Sequence, residues 1–471
     1  MTPLGFIIVP LGLILLLNSR EWLYRCVVFS VFFSATVVLN VGSGDNASGL
    51  QVWMYFASLW LAGSLFDGLR TRKLAISGKL IVPTGILLIF LFIAMTSLFM
   101  PLYINGRLAI ASPFLFENFR TPLYLTSKNF TQLTYLVFGA IIGIAVAHCN
   151  LNEQDRHRSE RIFLFGAVFA ALWGLLQFAC NITGLLYPAF IFNNSLSKSA
   201  GGFLQAFTEI GGLKRVSSVA VEPSMLAQTL LCAVPLTFPA LLGRGAVFGK
   251  IKDRLACGLL IFVLAVTTSS IAYIGLALLV LLSIVMVRKT RVLNSTRALL
   301  KICVLGIALA TALLLSTLTI PFLKDYLNVV IFTKASGGSA VERAMTVSNA
   351  FDYFIQYPLL GVGWGSVTSH DLLVKLLSNS GVIGATAFTA FLAIVFRRNY
   401  QLLTNCNDEQ SLSRLAWTLS FSVLVLTSVI TEFPFTFGHF WFAIGMAIAT
   451  SSSQSLKLAQ VLNTSSPVRL A

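Results

Sequence analysis

In "RVSSVAVEPSMLAQ", residues 215–228, an arginine and a glutamate stand before an apolar run that continues through "TLLCAVPLTFPALL". That run is long enough to enter a lipid bilayer. Pro223 suits the first turn of a helix, where its missing N–H costs nothing. Glu222, immediately before it, is favourably placed at the positive end of that helix, which accounts for the residue without any chemistry. Arg215, with Lys214 beside it, is harder to treat as a simple surface anchor. An arginine at this position can pair bidentately with phosphate oxygens.

A second stretch, "YPLLGVGWGSVTSHDLLVKLLSNSGVIG", spans residues 357–384. Gly361, Gly363 and Gly365 alternate and make a loop whose backbone can approach another group closely. Such a loop on its own resembles many turns. Five residues later comes His370, one of four histidines in the chain. His148 and His157 fall on the opposite predicted side, and His439 begins the last apolar segment. A lone histidine is more often structural than catalytic, but His370 alone occupies a long exterior loop, where it can act as a base.

The elements that must position these residues follow from composition. The 471 residues are 56% hydrophobic and 11% charged, against about 25% charged in soluble domains. Only helices or closed barrels satisfy the backbone inside lipid, and the apolar runs have helical rather than strand length. The fold class expected is an all-α polytopic membrane protein with about 12–13 transmembrane helices and a single transmembrane domain over residues 1–471. Candidate spans are 3–18, 22–42, 50–66, 80–99, 131–148, 162–186, 222–242, 255–269, 271–287, 299–320, 380–396, 415–431 and 438–454. The N-terminal run has no preceding charge and no small-residue cleavage site, as expected of a retained first span.

The net charge of +16 need not mean a nucleic-acid partner. Most Lys and Arg lie in alternate short loops, including "RTRK", "RHRSER", "GKIKDR" and "RKTR", as the positive-inside rule requires of cytoplasmic segments. The remainder fall in three long exterior loops, near 100–130, 187–221 and 321–379. This parity requires two spans within 255–287. In the last loop Val341, Met345, Ser348, Phe351 and Ile355 form one helical stripe, Ser339 and Glu342 have capping-box spacing, and Arg343 sits near the start. An amphipathic helix along the membrane surface is expected there. The seven cysteines, Cys26, Cys149, Cys180, Cys232, Cys257, Cys303 and Cys406, show no CxxC or metal spacing, so neither a disulfide framework nor a metal site is suggested.

Taken together, "RVSSVAVEPSMLAQ" and "PLLGVGWGSVTSHDLLVKLLSNSGVIG" resemble the paired signatures of the O-antigen ligase and O-antigen polymerase family. "LLQFACNITGLLYP" (175–188) and "VTTSSIAYIGLALLV" (266–280) resemble family spans less specifically, and the similarity extends over roughly 130–450. The resemblance implies glycosyl transfer from an undecaprenyl-pyrophosphate carrier at the periplasmic face of the bacterial inner membrane, with no cofactor and no metal. It implies that Arg215, Arg343 and His370 are the functional positions, and that a chain-length regulator is a possible partner. The E-P-S form around Glu222 leans towards polymerases.

On that reading Arg215 and Arg343, assisted by Lys214, stabilise the leaving pyrophosphate. His370 removes or orients the acceptor proton, with Glu222 as a supporting group or the alternative base. Tyr353, Tyr357 and Trp364 are candidates for stacking on sugars, although aromatic anchoring at the interface is the commoner role. A polymerase of lipid-linked repeat units is the leading expectation, with a ligase acting on lipid A core as its rival. A lipid-linked oligosaccharide transporter would instead favour charges along a midplane pathway.

Overall fold

The computed structural model describes residues 1–42, 48–71, 77–112, 119–197, 207, 209–210, 213–243, 245–289, 338–405, 411–431 and 435–452. Helices dominate: α1 (Gly5–Asn18), α2 (Arg20–Ser30), α3 (Val52–Thr71), α4 (Ile81–Ser97), α5 (Phe99–Ile104), α6 (Ser127–Cys149) and α7 (Glu153–Thr183). They continue as α8 (Pro223–Ala233), α9 (Phe238–Leu241), α10 (Lys250–Val266), α11 (Ser270–Lys289), α12 (Gly338–Gln356), α13 (Leu372–Asn405), α14 (Ser411–Ser428) and α15 (Gly438–Ser452). Three small antiparallel pairs interrupt them: β1 (Val37–Val41) with β2 (Ser48–Gln51), β3 (Ala109–Ala111) with β4 (Arg120–Pro122), and β5 (Glu209–Ile210) with β6 (Leu213–Lys214).

Among the described residues six helical segments are long and apolar enough to cross a membrane: Gly78–Ile104, Ser127–Cys149, Glu153–Thr183, Pro223–Leu241, Ser270–Arg288 and Leu372–Thr404. They coincide with six of the expected spans. Helices α1, α3, α10, α14 and α15 coincide with five more. The span expected at 299–320, the first part of the 321–379 loop, Cys303 and Cys406 lie outside the described residues.

The expected span 22–42 is not one helix. α2 has 11 residues, about 16 Å of rise, and the chain then extends into β1. The reason is local: β-branched Thr36, Val37 and Val38 favour extended backbone. Their polar groups are met across the chain, where the Val37 amide donates to Asn194 Oδ1 at 2.8 Å and the Thr36 hydroxyl donates to the Phe192 carbonyl at 2.6 Å.

The split within 255–287 is observed. α10 ends at Val266, and Thr268 takes a left-handed φ of 54° before α11 begins. Side-chain contacts sort the loops into two faces as the charge pattern requires. On one face Arg20 pairs with Asp67 at 2.9 Å, Arg158 approaches Glu21 at 3.7 Å, and Arg161 donates to the Val247 carbonyl at 3.0 Å. The Ser413 hydroxyl donates to Glu160 on that same face. The other face gathers residues 36–40, 97, 129, 192–194, 215, 268 and 364–379.

At the centre lies α8, every residue of which is buried. α14 and α15 are enclosed nearly as completely. Their hydroxyls stay inside by bonding backbone carbonyls, as Ser420 does with Cys232 at 2.6 Å. An unmet polar group would be costly there.

Candidate active site

Arg215 belongs to a buried, non-helical segment that runs into α8. Val216, Ser217, Ser218, Val219 and Ala220 are fully buried. Irregular backbone at such depth needs partners, and Gln177 on α7 supplies them. Its Oε1 accepts from the amides of Ser217 at 3.0 Å and Ser218 at 2.7 Å. The Ser218 hydroxyl donates to the Ala170 carbonyl at 2.6 Å, and Tyr187 donates to the Ser218 carbonyl at 3.2 Å. Arg215 Nε donates to the Thr268 hydroxyl at the α10–α11 turn, 3.1 Å away. The two less specific family-like stretches thus converge on this segment, one through Gln177 and the other through Thr268. Arg215 and the α10–α11 turn also share a face, as two spans in 250–289 demand.

Glu222 is the N-cap of α8, with extended backbone (φ −149°, ψ 164°). Its carbonyl receives the first helical bonds, from Met225 and Leu226 at 3.1 Å. Its side chain does not cap the helix and instead accepts from the Ser224 hydroxyl. Lys214 is exposed on β6, its Cα paired with that of Glu209.

The second signature builds a pinned loop between α12 and α13. The Trp364 amide donates to Ser97 Oγ on α4 at 3.0 Å. Asn129 on α6 donates to the Trp364 carbonyl at 2.8 Å and to the Ser366 hydroxyl at 2.9 Å. Asn379 on α13 accepts from the Val367 amide at 3.1 Å and donates to the Val367 carbonyl at 3.0 Å. Gly361, Gly363 and Gly365 all have positive φ, but what they approach closely is the protein itself. At Gly363, φ 104°, a Cβ would overlap the Pro101 ring of α5. At Gly361 it would overlap the Ser378 carbonyl. The glycines therefore pack the loop onto α5 and α13. Trp364 and Tyr353 are also buried rather than open to a sugar face. Trp364 packs on Phe90 and Phe435, and the Tyr353 hydroxyl accepts from the Ala111 amide at 2.8 Å.

At the end of this loop the Asp371 carboxylate caps α13, accepting from the Val374 amide at 2.8 Å, the usual task of an N-cap aspartate. His370 is half-buried and faces α12. Its Nδ1 lies 2.8 Å from the Thr346 hydroxyl, which also bonds the Arg343 carbonyl at 2.9 Å. A hydroxyl has one proton, and a carbonyl can only accept. Both contacts are satisfied together when Thr346 donates to Arg343 and receives Nδ1–H, which puts the imidazole lone pair on Nε2. That is the tautomer of a base.

Arg343 and His370 line one cavity of about 540 Å³, together with Ala344, Val347, Phe351 and, from the end of α14, Val429 and Ile430. Arg343 Nε is buried there without a hydrogen-bond partner among the described residues. The cavity lining is otherwise largely apolar, with Ser348 and Asp371 as its other polar members. The apolar stripe of α12 faces outward beside it, with Val341, Met345, Phe351 and Ile355 exposed, while Thr346, Ala350 and Tyr353 face inward. This is the two-faced helix expected on a membrane surface. The expected cap residue Ser339 has its side chain outside the described residues.

The sequence-predicted site residues therefore fall into two groups. Arg343 and His370 share a cavity, whereas Arg215, Lys214 and Glu222 are not among its described lining residues. Thr346, Asn129, Asn379 and Gln177, which position these groups, were not singled out by the sequence. Only Thr346 carried a signal, being one helical turn from Arg343 and on the same face. Among the described residues no group of three or more His, Cys, Asp or Glu could hold a metal ion.

Among curated proteins none matches the chain. Residues 255–389, which carry α10, α11, Arg343 and His370, match the family model described as O-antigen ligase, and this match supports the resemblance to the O-antigen ligase and polymerase family.

Proposed function

We propose that this protein is an O-antigen or exopolysaccharide polymerase that joins undecaprenyl-pyrophosphate-linked oligosaccharide repeat units at the periplasmic face of the inner membrane. The observation that carries the reading is the shared cavity of Arg343 and His370, with its unmet guanidinium donor and apolar walls. A polyprenyl pyrophosphate is an amphiphile whose anionic head needs such a donor and whose tail needs an apolar exit.

In the proposed reaction His370 Nε2 takes the proton of an acceptor sugar hydroxyl. That oxygen bonds to the anomeric carbon of the donor as the carbon–oxygen bond to pyrophosphate breaks. The electron pair leaves with the undecaprenyl pyrophosphate, and Arg343 stabilises the charge that develops on it. Direct displacement inverts the anomeric centre. In this reading Arg215 and Lys214 assist at the head group, Arg215 while bonded through its Nε to Thr268, and Glu222 plays a supporting part.

The family model's description favours a second reading, a ligase that moves the glycan to lipid A core. Purified protein given only lipid-pyrophosphate repeat units separates the two. A product ladder, lost in His370→Ala and Arg343→Ala, supports the polymerase. No ladder, followed by transfer when lipid A core is added, overturns it in favour of the ligase.

A further inference from the structure

A second cavity, about 370 Å³ in volume, opens on the face that carries His370. Its walls are the β3–β4 hairpin, the start of α6 and the loop residues 365–368. It differs in chemistry from the Arg343 cavity. Ser112, Thr121, Ser366 and Thr368 bring hydroxyls to it, and Phe119 and Tyr124, both exposed, bring aromatic surface. Alternating hydroxyls and aromatic faces match a saccharide, which has polar edges and apolar C–H faces.

The loop connects this cavity to His370 directly. Along residues 366–370, half-buried Ser366, Thr368 and His370 alternate with buried Val367 and Ser369. The more open residues of this stretch are thus spaced two apart, although residues 366 and 370 are bends rather than strand. Thr368 and His370 are then no more than about 7 Å apart along the chain. The track is also stiff. Asn129 donates to Ser366 Oγ, leaving that hydroxyl its own proton to donate, and Asn379 clamps Val367 from behind. The hairpin wall is tied to α12, the helix of Arg343, by the bond from the Ala111 amide to Tyr353.

We propose that this cavity is a saccharide subsite that holds the acceptor glycan and aims its terminal hydroxyl along Ser366 and Thr368 towards His370. The proposal rests on the glycosyl-transfer reading of the Arg343 cavity and adds to it where the acceptor lies. Arg343 and the apolar walls then take the pyrophosphate end of the lipid-linked donor, and the hydroxyl-lined cavity takes the glycan part of the acceptor, whose own lipid stays in the membrane.

The test uses full-length protein in nanodiscs. The probe is the oligosaccharide released by mild acid from the lipid-linked repeat units of the producing cells, labelled at its reducing end. Saturable binding is expected, weakened about tenfold by Thr368→Val and by Tyr124→Ala, as for loss of a hydrogen bond or an aromatic contact. Thr368→Val keeps the side-chain shape, so its loss of binding does not reduce to misfolding. Unchanged binding in both cavity variants, or no binding to wild type, overturns the subsite. The ladder assay run beside it keeps the two claims apart. Binding as expected with neither ladder nor transfer to lipid A core removes the donor reading and leaves the subsite. A ladder with the wrong binding pattern does the reverse.

Discussion

Arg215 and Arg343 are the two arginines that the family resemblance points to, yet the protein treats them differently. Arg215 adjoins a buried irregular segment, its Nε donating to Thr268, and the backbone after it is held by Gln177. Arg343 stands on an amphipathic helix with its Nε buried and unmet in a cavity that also holds His370. Arg215 uses its Nε to hold the α10–α11 turn, while the Arg343 Nε is buried beside the cavity with no partner among the described residues. The two guanidinium groups therefore differ in what their Nε donors meet, a difference that motif position alone does not show.

Several variants would break or sharpen this contrast. The largest effects are expected at the cavity itself. His370→Ala should lower the transfer rate by about 10²–10⁴-fold, the worth of a positioned base. Arg343→Ala should lower it by about 10²–10³-fold, as for loss of a charge-stabilising donor. In both cases the melting temperature in detergent should barely move. Arg343→Lys should recover only part of the rate, because an ammonium keeps the charge but not the planar fork.

Thr346→Val should come next, with a rate loss of about tenfold and rescue by Thr346→Ser, since the hydroxyl acts only through the His370 tautomer. A loss that Ser does not rescue would contradict that role. The Arg215 region should respond mainly in stability. Gln177→Leu leaves two buried amides unmet and should cost roughly 1–3 kcal/mol, read from thermal unfolding. Gly363→Ala should cost a similar amount, about 1–3 kcal/mol, from a left-handed backbone and overlap with Pro101. The smallest effect belongs to the exposed stripe. Met345→Ser should change stability in detergent by less than about 0.5 kcal/mol, yet weaken turnover of lipid-linked substrate in vesicles.

Much of the fold was legible because lipid imposes one rule on every span. The run at 131–148 becomes α6 between Ser127 and Cys149, and the break inside 255–287 falls at Thr267–Ser269. The segment 22–42 misled because hydropathy does not distinguish an apolar helix from an apolar helix followed by extended chain. There the β-branched residues after Ser34 and the distant Asn194 decided the outcome. That Arg343 and His370 lie in one late loop was legible from the sequence, whereas their joint role was expected only through the family resemblance. The supports were not, since Asn129 meets Trp364 across 235 positions and Gln177 meets Ser217 across 40. Hydrogen bonds of that reach leave no local pattern. The glycine loop was read correctly as a place of close approach, but sequence alone did not say that its neighbours were Pro101 and Ser378.

The most direct test of the account follows the donor. A lipid-pyrophosphate oligosaccharide carrying a photoreactive group beside the pyrophosphate would be cross-linked to the wild-type protein, and its adducts mapped by peptide mass spectrometry. Adducts on Val347, Phe351, Val429 or Ile430 are predicted, and Arg343→Ala should abolish them. Adducts confined to the α10–α11 turn around Thr268, untouched by Arg343→Ala, would contradict the assignment and move the active centre to Arg215.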